Sequence, residues 1–256
     1  MNRVTSKDGT SIAYDRQGSG PAVILVTGAL DDGSENAPLA AELAAHFTTY
    51  NYNRRGRGES GDTPPYALER EIEDIEALVA EARGSAHLYG VSSGGALVLE
   101  ATAAGVAAEK LAVYEVPYFI GDAVQYWREY VERLDAALSA GRRGEVAELF
   151  MRLAGSPDEQ IAEAKSSPYW PRTEAVAHTL AYDAACLGDG HPPTGRLATI
   201  VQPTLVATGG GADFFESAAD AIAASVPNAE RQTLTGQGHV VDPKTMAPVL
   251  EHFFGT

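Results

Sequence analysis

The stretch Tyr89-Gly90-Val91-Ser92-Ser93-Gly94-Gly95 constrains this chain more than any other. It sets a serine between two glycines, just after an apolar run at residues 86–91 and just before a small-residue, helix-like run at 94–104. A strand that turns sharply into a helix brings the residues flanking the turn into contact. Only side chains the size of a hydrogen leave room there, and only glycine takes the unusual dihedrals cheaply. Gly90 and Gly94 meet that need, whereas a serine in an ordinary surface turn requires no such flanks. The pattern predicts a strand–turn–helix unit with the Ser92 hydroxyl held out in a cleft.

The rest of the chain supplies the partners such a unit needs. Residues 2–17 alternate polar and apolar around Asp8-Gly9, a hairpin signal. Residues 22–26 form a continuous β-branched run, the mark of a strand buried on both faces. A helix is expected at 36–46, a second buried strand at 47–52, and a helix at 68–83 with Ile72, Ile75, Leu78 and Val79 on one face. Another strand is expected at 111–116. Alternating strands and helices imply βαβ units in a mostly parallel, doubly wound sheet. The alternation stops at Phe119, and the pattern stays helical to Leu197, with Pro and Gly breaks. Strand character returns at 203–208 and 230–234, and a helix at 247–254 follows. The expected fold class is therefore α/β, with residues 1–118 and 199–256 forming one core and residues 119–198 a helical cap. Such a cap would lie over the carboxyl ends of the strands, where open α/β sheets bind ligands.

Bulk properties narrow the partners. A length of 256 residues suits one large domain, or one carrying an insertion. A net charge of −16 argues against nucleic acid and anionic membranes, which need clustered Lys and Arg. Cys186 is the single cysteine and cannot form an intramolecular disulfide, so a reducing, cytoplasmic setting is expected. No secretory signal or run of transmembrane length is legible. The partner expected is a small-molecule substrate, with a homodimer left open.

Serine is a poor nucleophile at neutral pH because its hydroxyl is hardly ionised. It needs an adjacent base, and the base needs an orienting acid. Of the six histidines, His239 is best placed, in the loop Gly236-Gln237-Gly238-His239-Val240 after the last expected strand. His46, His87, His178 and His252 read as surface or packing residues, and His191 lies in a Pro/Gly-rich linker of the cap. The expected acid is Asp213, a few residues past the strand at 203–208. Glu115, at the end of the preceding core strand, is its rival.

With the acid at Asp213 the chain order is Ser92, Asp213, His239, and over nearly its whole length the sequence resembles the α/β-hydrolase fold superfamily. The resemblance covers the turn around Ser92, the loops of Asp213 and His239, Val26-Thr27-Gly28-Ala29, and Tyr52-Asn53-Arg54-Arg55-Gly56-Arg57-Gly58-Glu59-Ser60. The last of these is similar to a loop of the serine esterase, haloperoxidase-like and C–C hydrolase branches. Many relatives carry histidine where Thr27 stands and aspartate where Asn53 stands. The oxyanion of acyl transfer needs preorganised backbone donors. Ser93, at a helix N-terminus, is one expected donor, and the resemblance implies Ala29 as the other.

Two other patterns carry less. Gly56-Arg57-Gly58-Glu59-Ser60-Gly61 matches a dinucleotide fingerprint, but Asp62-Thr63-Pro64-Pro65 follows where a helix should begin. Its arginines are too few for a nucleic-acid patch in so acidic a chain. Asp31-Asp32 suggests metal weakly, with no ligand spacing around it, so no metal and no cofactor is expected. The cap is rich in aromatic residues, among which Tyr118, Trp127 and Trp170, with Phe214 just beyond the cap, are candidate pocket residues. The expectation is a cofactor-independent serine hydrolase acting on carboxylic esters of a small to medium apolar or aromatic substrate. Lactonase, thioesterase, C–C bond hydrolase, perhydrolase and aminopeptidase chemistry stay open, as does a non-hydrolytic member that binds a ligand or tailors a biosynthetic product while keeping the triad.

Overall fold

The computed structural model describes residues 1–255. In chain order the first half comprises β1 (Asn2–Thr5), β2 (Ser11–Gly18), β3 (Ala22–Val26), α1 (Ala37–Leu43), β4 (Thr48–Tyr52), α2 (Leu68–Glu81), β5 (Ala86–Val91), α3 (Ser93–Ala103) and β6 (Ala108–Tyr114). Six helices follow before the next strand: α4 (Val124–Ser139), α5 (Arg143–Leu153), α6 (Asp158–Ser166), α7 (Trp170–Val176), α8 (Leu180–Leu187) and α9 (Thr194–Leu197). The chain then returns through β7 (Thr204–Thr208), α10 (Asp213–Ser225), β8 (Ala229–Thr233) and α11 (Pro243–Gly255).

The strands form one eight-stranded sheet in the order β1-β2-β4-β3-β5-β6-β7-β8. The Asp8-Gly9 hairpin pairs β1 with β2 antiparallel, in a register from Asn2↔Tyr14 to Thr5↔Ser11. Strand β2 is antiparallel to β4, and from β4 across to β8 every pairing is parallel.

The apolar runs build two cores because successive strand residues face opposite sides of the sheet. Val23, Leu25, Tyr89, Ala112, Tyr114, Leu205 and Ala207 pack on Leu39 and Leu43 of α1 and on Met246, Leu250, Phe253 and Phe254 of α11. Their neighbours Ile24, Val26, Leu88, Val113 and Val206 face α2, α3 and α10 on the other side. Burying one such Leu, Ile or Val contributes about 1.5–3 kcal/mol. Slipping any central strand by one residue would exchange the two cores.

Helix α11 begins earlier than its sequence pattern suggests, at Pro243, and contains Pro248. Pro243 fits a first turn, where its missing N–H is unneeded, whereas Pro248 lies in the second turn and has no N–H to offer the Lys244 carbonyl. Among the described residues no helix is long and apolar enough to cross a membrane.

Candidate active site

The turn between β5 and α3 is built by close backbone contact. A Cβ on Gly90 would come within 2.5 Å of the Gly94 carbonyl oxygen, and one on Gly94 would come equally near the Val26 carbonyl oxygen. Glycine is thus required at both places by its neighbours. Ser92 itself has φ 56° and ψ −129°, a region that costs a non-glycine residue about 1–3 kcal/mol. Its amide donates to the Tyr114 carbonyl at 2.9 Å, and its carbonyl accepts from Gly95 N–H at 2.9 Å. Those bonds hold the strained residue at the mouth of α3. The loop after β3 lies directly against it: a Cβ on Gly28 would sit 3.0 Å from Ser92 Cβ and 3.6 Å from its Oγ. Ala29 and Ser93 line the same cleft.

His239 stands in the loop between β8 and α11, half-exposed, with its ring stacked on Phe215 at 4.9 Å. Its Nδ1 lies 2.7 Å from Glu115 Oε2. Glu115 is buried, and its other oxygen accepts the Gly209 N–H at 3.0 Å. A carboxylate oxygen accepts, so this contact suits a proton on His239 Nδ1, the arrangement that in a neutral ring turns Nε2 into the acceptor. Tyr114, the last residue of β6, donates its hydroxyl to the Gly238 carbonyl at 2.7 Å and steadies the histidine loop. Glu115 has φ 48°, another strained non-glycine residue at the end of a parallel strand.

The expectation that Asp213 orients His239 is therefore corrected: the structure puts Glu115 on the imidazole. After β7 the chain runs through three glycines, and the first of them spends its N–H on Glu115. Asp213 is carried on to become the first residue of α10, where a carboxylate interacts favourably with the helix dipole.

A cleft of about 740 Å³ opens above Ser92 and His239, within the range of small-molecule sites. One wall is a run of touching rings. Phe215 meets Phe214, Phe214 meets Phe119 at 5.1 Å, Phe119 meets Trp127 at 5.4 Å, and Trp127 meets Tyr130 at 5.5 Å. Of the candidate pocket residues, Trp127 and Phe214 line the cleft, while Tyr118 and Trp170 do not. Pro117 and Phe119 face the cleft, so the residue between them points the other way. Tyr118 is fully buried beside a second, smaller cavity next to Cys186 and Arg196. Trp170 opens α7 and packs against the apolar core. Tyr130 and Phe150, two more of the cap's aromatic residues, also line the cleft, as does Leu180, which no sequence pattern marks. Glu35 sits at its edge, its carboxyl raised above the ordinary value by burial and by Asp31.

The arginines after β4 are scaffold. Arg54, Arg55 and Arg57 are all essentially inaccessible to solvent. Arg54 forms a two-pronged pair with Glu71 (2.7 and 2.8 Å), and Arg55 does the same with Asp74. Arg57 grips both oxygens of Asp183 on α8 (2.8 and 2.7 Å). Burial pushes the Asp183 carboxyl up, but Arg57 and Arg54 outweigh it and hold it below its ordinary value. A signal for part of this existed in the sequence, since Glu71 and Asp74 share the apolar face of α2 and a charge there implies a buried partner. Asn53 donates through Nδ2 to the Asp32 carbonyl, a bond an aspartate could not make, and Thr27 Oγ1 reaches the Asp31 carbonyl at 3.4 Å. Among the described residues no group of three or more His, Cys, Asp or Glu side chains is arranged to hold a metal.

A strained serine after β5, a histidine after β8 and a sheet of this order prompt comparison with known proteins. The profile of the alpha/beta hydrolase family matches residues 23–249. The chain belongs to the alpha/beta hydrolase family. Among relatives, it is 30% identical over 246 residues to a pimeloyl-[acyl-carrier protein] methyl ester esterase of Xanthomonas campestris pv. campestris, covering 92% of this chain and 91% of that protein. Among solved structures, an alpha/beta hydrolase from Sphaerobacter thermophilus DSM 20745 is 48% identical with a TM-score of 0.89, covering 99% of this chain and 100% of that one. A hydrolase from Pseudomonas aeruginosa PA01 is 26% identical with a TM-score of 0.78, covering 100% and 98%. The aromatic wall and the buried arginines described above are thus features of an alpha/beta hydrolase.

Proposed function

We propose that this protein is a cofactor-independent serine ester hydrolase of small to medium apolar or aromatic esters. The observation that carries the reading is the 2.7 Å contact of Glu115 with His239 at the rim of the cleft that exposes Ser92. Ser92 Oγ attacks the ester carbonyl while His239 Nε2 takes its proton. Glu115 holds the imidazole and offsets the charge it gains. The carbonyl oxygen becomes an oxyanion facing the Ala29 and Ser93 amides. Collapse of the tetrahedral intermediate breaks the ester C–O bond, and His239 returns its proton to the departing alkoxide. Water, deprotonated by His239, then releases the acid from Ser92. The esterase relative and the aromatic wall support an ester with an apolar acyl or alcohol group. The lone, buried Cys186 fits a cytoplasmic setting.

Hydrolysis of short p-nitrophenyl esters by wild type and Ser92→Ala tests the reading. The variant is expected to lose at least about 10³-fold in kcat. Wild-type turnover in the variant would remove Ser92 from the mechanism. No turnover across a panel of esters, lactones and thioesters, with a fluorophosphonate failing to label Ser92, would favour a non-hydrolytic member of the family.

A further inference from the structure

One carboxylate from the inserted helices reaches both halves of the expected oxyanion site. Asp183 Oδ1 accepts from Ser93 Oγ at 2.7 Å, from Arg54 Nη1 at 2.8 Å and from Arg57 Nη2 at 2.8 Å. Arg57 then passes its other edge to the loop after β3, donating from Nη1 to the Gly28 carbonyl at 2.5 Å. Arg54 adds a longer bond to the Thr27 carbonyl at 3.3 Å. The Gly28 carbonyl and the Ala29 N–H belong to one peptide plane, and in a trans peptide they point in opposite directions. Fixing the oxygen therefore aims the N–H, and a cation on the oxygen strengthens the N–H as a donor. Ser93 is tied on the other side through its hydroxyl, one residue after the nucleophile. Arg54 and Arg57 are balanced by Glu71 and Asp183, so the cluster adds no net charge beside the reacting carbonyl.

We propose that Asp183 and Arg57 are positioning residues that align the Ala29 and Ser93 amides, so that seating of α8 on the core and completion of the oxyanion site are a single event. Asp183 lines the cleft and Arg57 does not, and the bonds of both run to Ser93 and to the Gly28 carbonyl rather than to Ser92 or His239. The inference rests on the serine-hydrolase reading, and its test separates the two.

Asp183→Asn and Arg57→Lys are compared with wild type and Ser92→Ala for kcat, KM, near-UV circular dichroism and affinity for an aryl trifluoromethyl ketone, which forms an oxyanion on an active-site serine. The matching methyl ketone serves as the control that forms little adduct. Lysine at 57 keeps the charge but cannot hold Gly28 and Asp183 together through one planar fork. The expected result is a fall in kcat of about 10²-fold with KM changed less than about threefold. Affinity for the trifluoromethyl ketone should fall by a similar factor while that for the methyl ketone holds. Should Asp183→Asn not fold, Arg57→Lys and Ser93→Ala carry the test, the latter deleting only one hydroxyl and losing less of both quantities. Folded variants that keep wild-type kcat and trifluoromethyl ketone affinity, even with lowered melting temperature, overturn the proposal and leave the serine reading intact. Wild-type turnover by Ser92→Ala overturns both.

Discussion

The loops after β6 and β7 each carry a carboxylate, and only one of them meets His239. Glu115 follows β6 immediately, in a strained conformation, inside the apolar run Val113-Tyr114-Glu115-Val116. Asp213 follows β7 after four intervening residues and opens a helix. The strand end places Glu115 with little freedom, since β6 is locked between β5 and β7. The glycine-rich loop after β7 supplies a backbone N–H to the other loop's acid, and its own carboxylate is left to a helix N-terminus. Two loops that each follow a parallel strand and each carry a carboxylate thus divide the work: one gives the side chain and the other the backbone that orients it.

Four substitutions can break or sharpen this contrast. Glu115→Gln should have the largest effect, lowering kcat/KM for an ester about 10³–10⁴-fold. The site offers two donors, Gly209 N–H and His239 Nδ1–H, and an amide can accept from only one of them without turning its own donors on the other. Gly209→Ala comes next. Its Cβ would drive into the Gln237 carbonyl and lie 2.8 Å from Tyr114 Oη, so the loop must shift away from Glu115. A loss of about 1–3 kcal/mol in stability by chemical denaturation is expected, together with a clear fall in kcat. Tyr114→Phe removes the bond to Gly238 and should cost about 1 kcal/mol in stability and a few-fold in kcat. Asp213→Asn should be the mildest. Ester turnover should stay within about twofold, and stability should fall by about 0.3–1 kcal/mol as the helix loses one of its two first-turn acids, with Glu216 remaining. If Asp213→Asn instead matched Glu115→Gln in turnover, the division between the loops would be wrong.

The sequence was most legible where the backbone alone dictates structure. Gly90 and Gly94 could be read as obligatory because their requirement is local, and the hairpin and parallel strands followed from turn chemistry and apolar runs. His239 was legible from its loop at the end of the sheet. Glu115 and Asp213 are harder to tell apart, because spacing along the chain does not reveal which carboxylate points across to another strand. The clue was a charge embedded in an otherwise buried strand end. The pocket aromatics were harder still: Tyr118 and Phe119 are adjacent and chemically alike, and only the local backbone path sends one to the cleft and the other away. Arg57 and Asp183 lie 126 residues apart in the chain, and no local pattern encodes a contact of that range.

The most direct measurement of the central claim is the rate at which p-nitrophenyl diethyl phosphate inactivates each protein, with the modified peptide identified by mass spectrometry. This reagent reads activation of the nucleophile without deacylation. Phosphorylation on Ser92 is predicted, at the wild-type rate in Asp213→Asn and at least about 100-fold more slowly in Glu115→Gln. Rapid labelling of Glu115→Gln with slow labelling of Asp213→Asn, or labelling at a residue other than Ser92, would contradict the account.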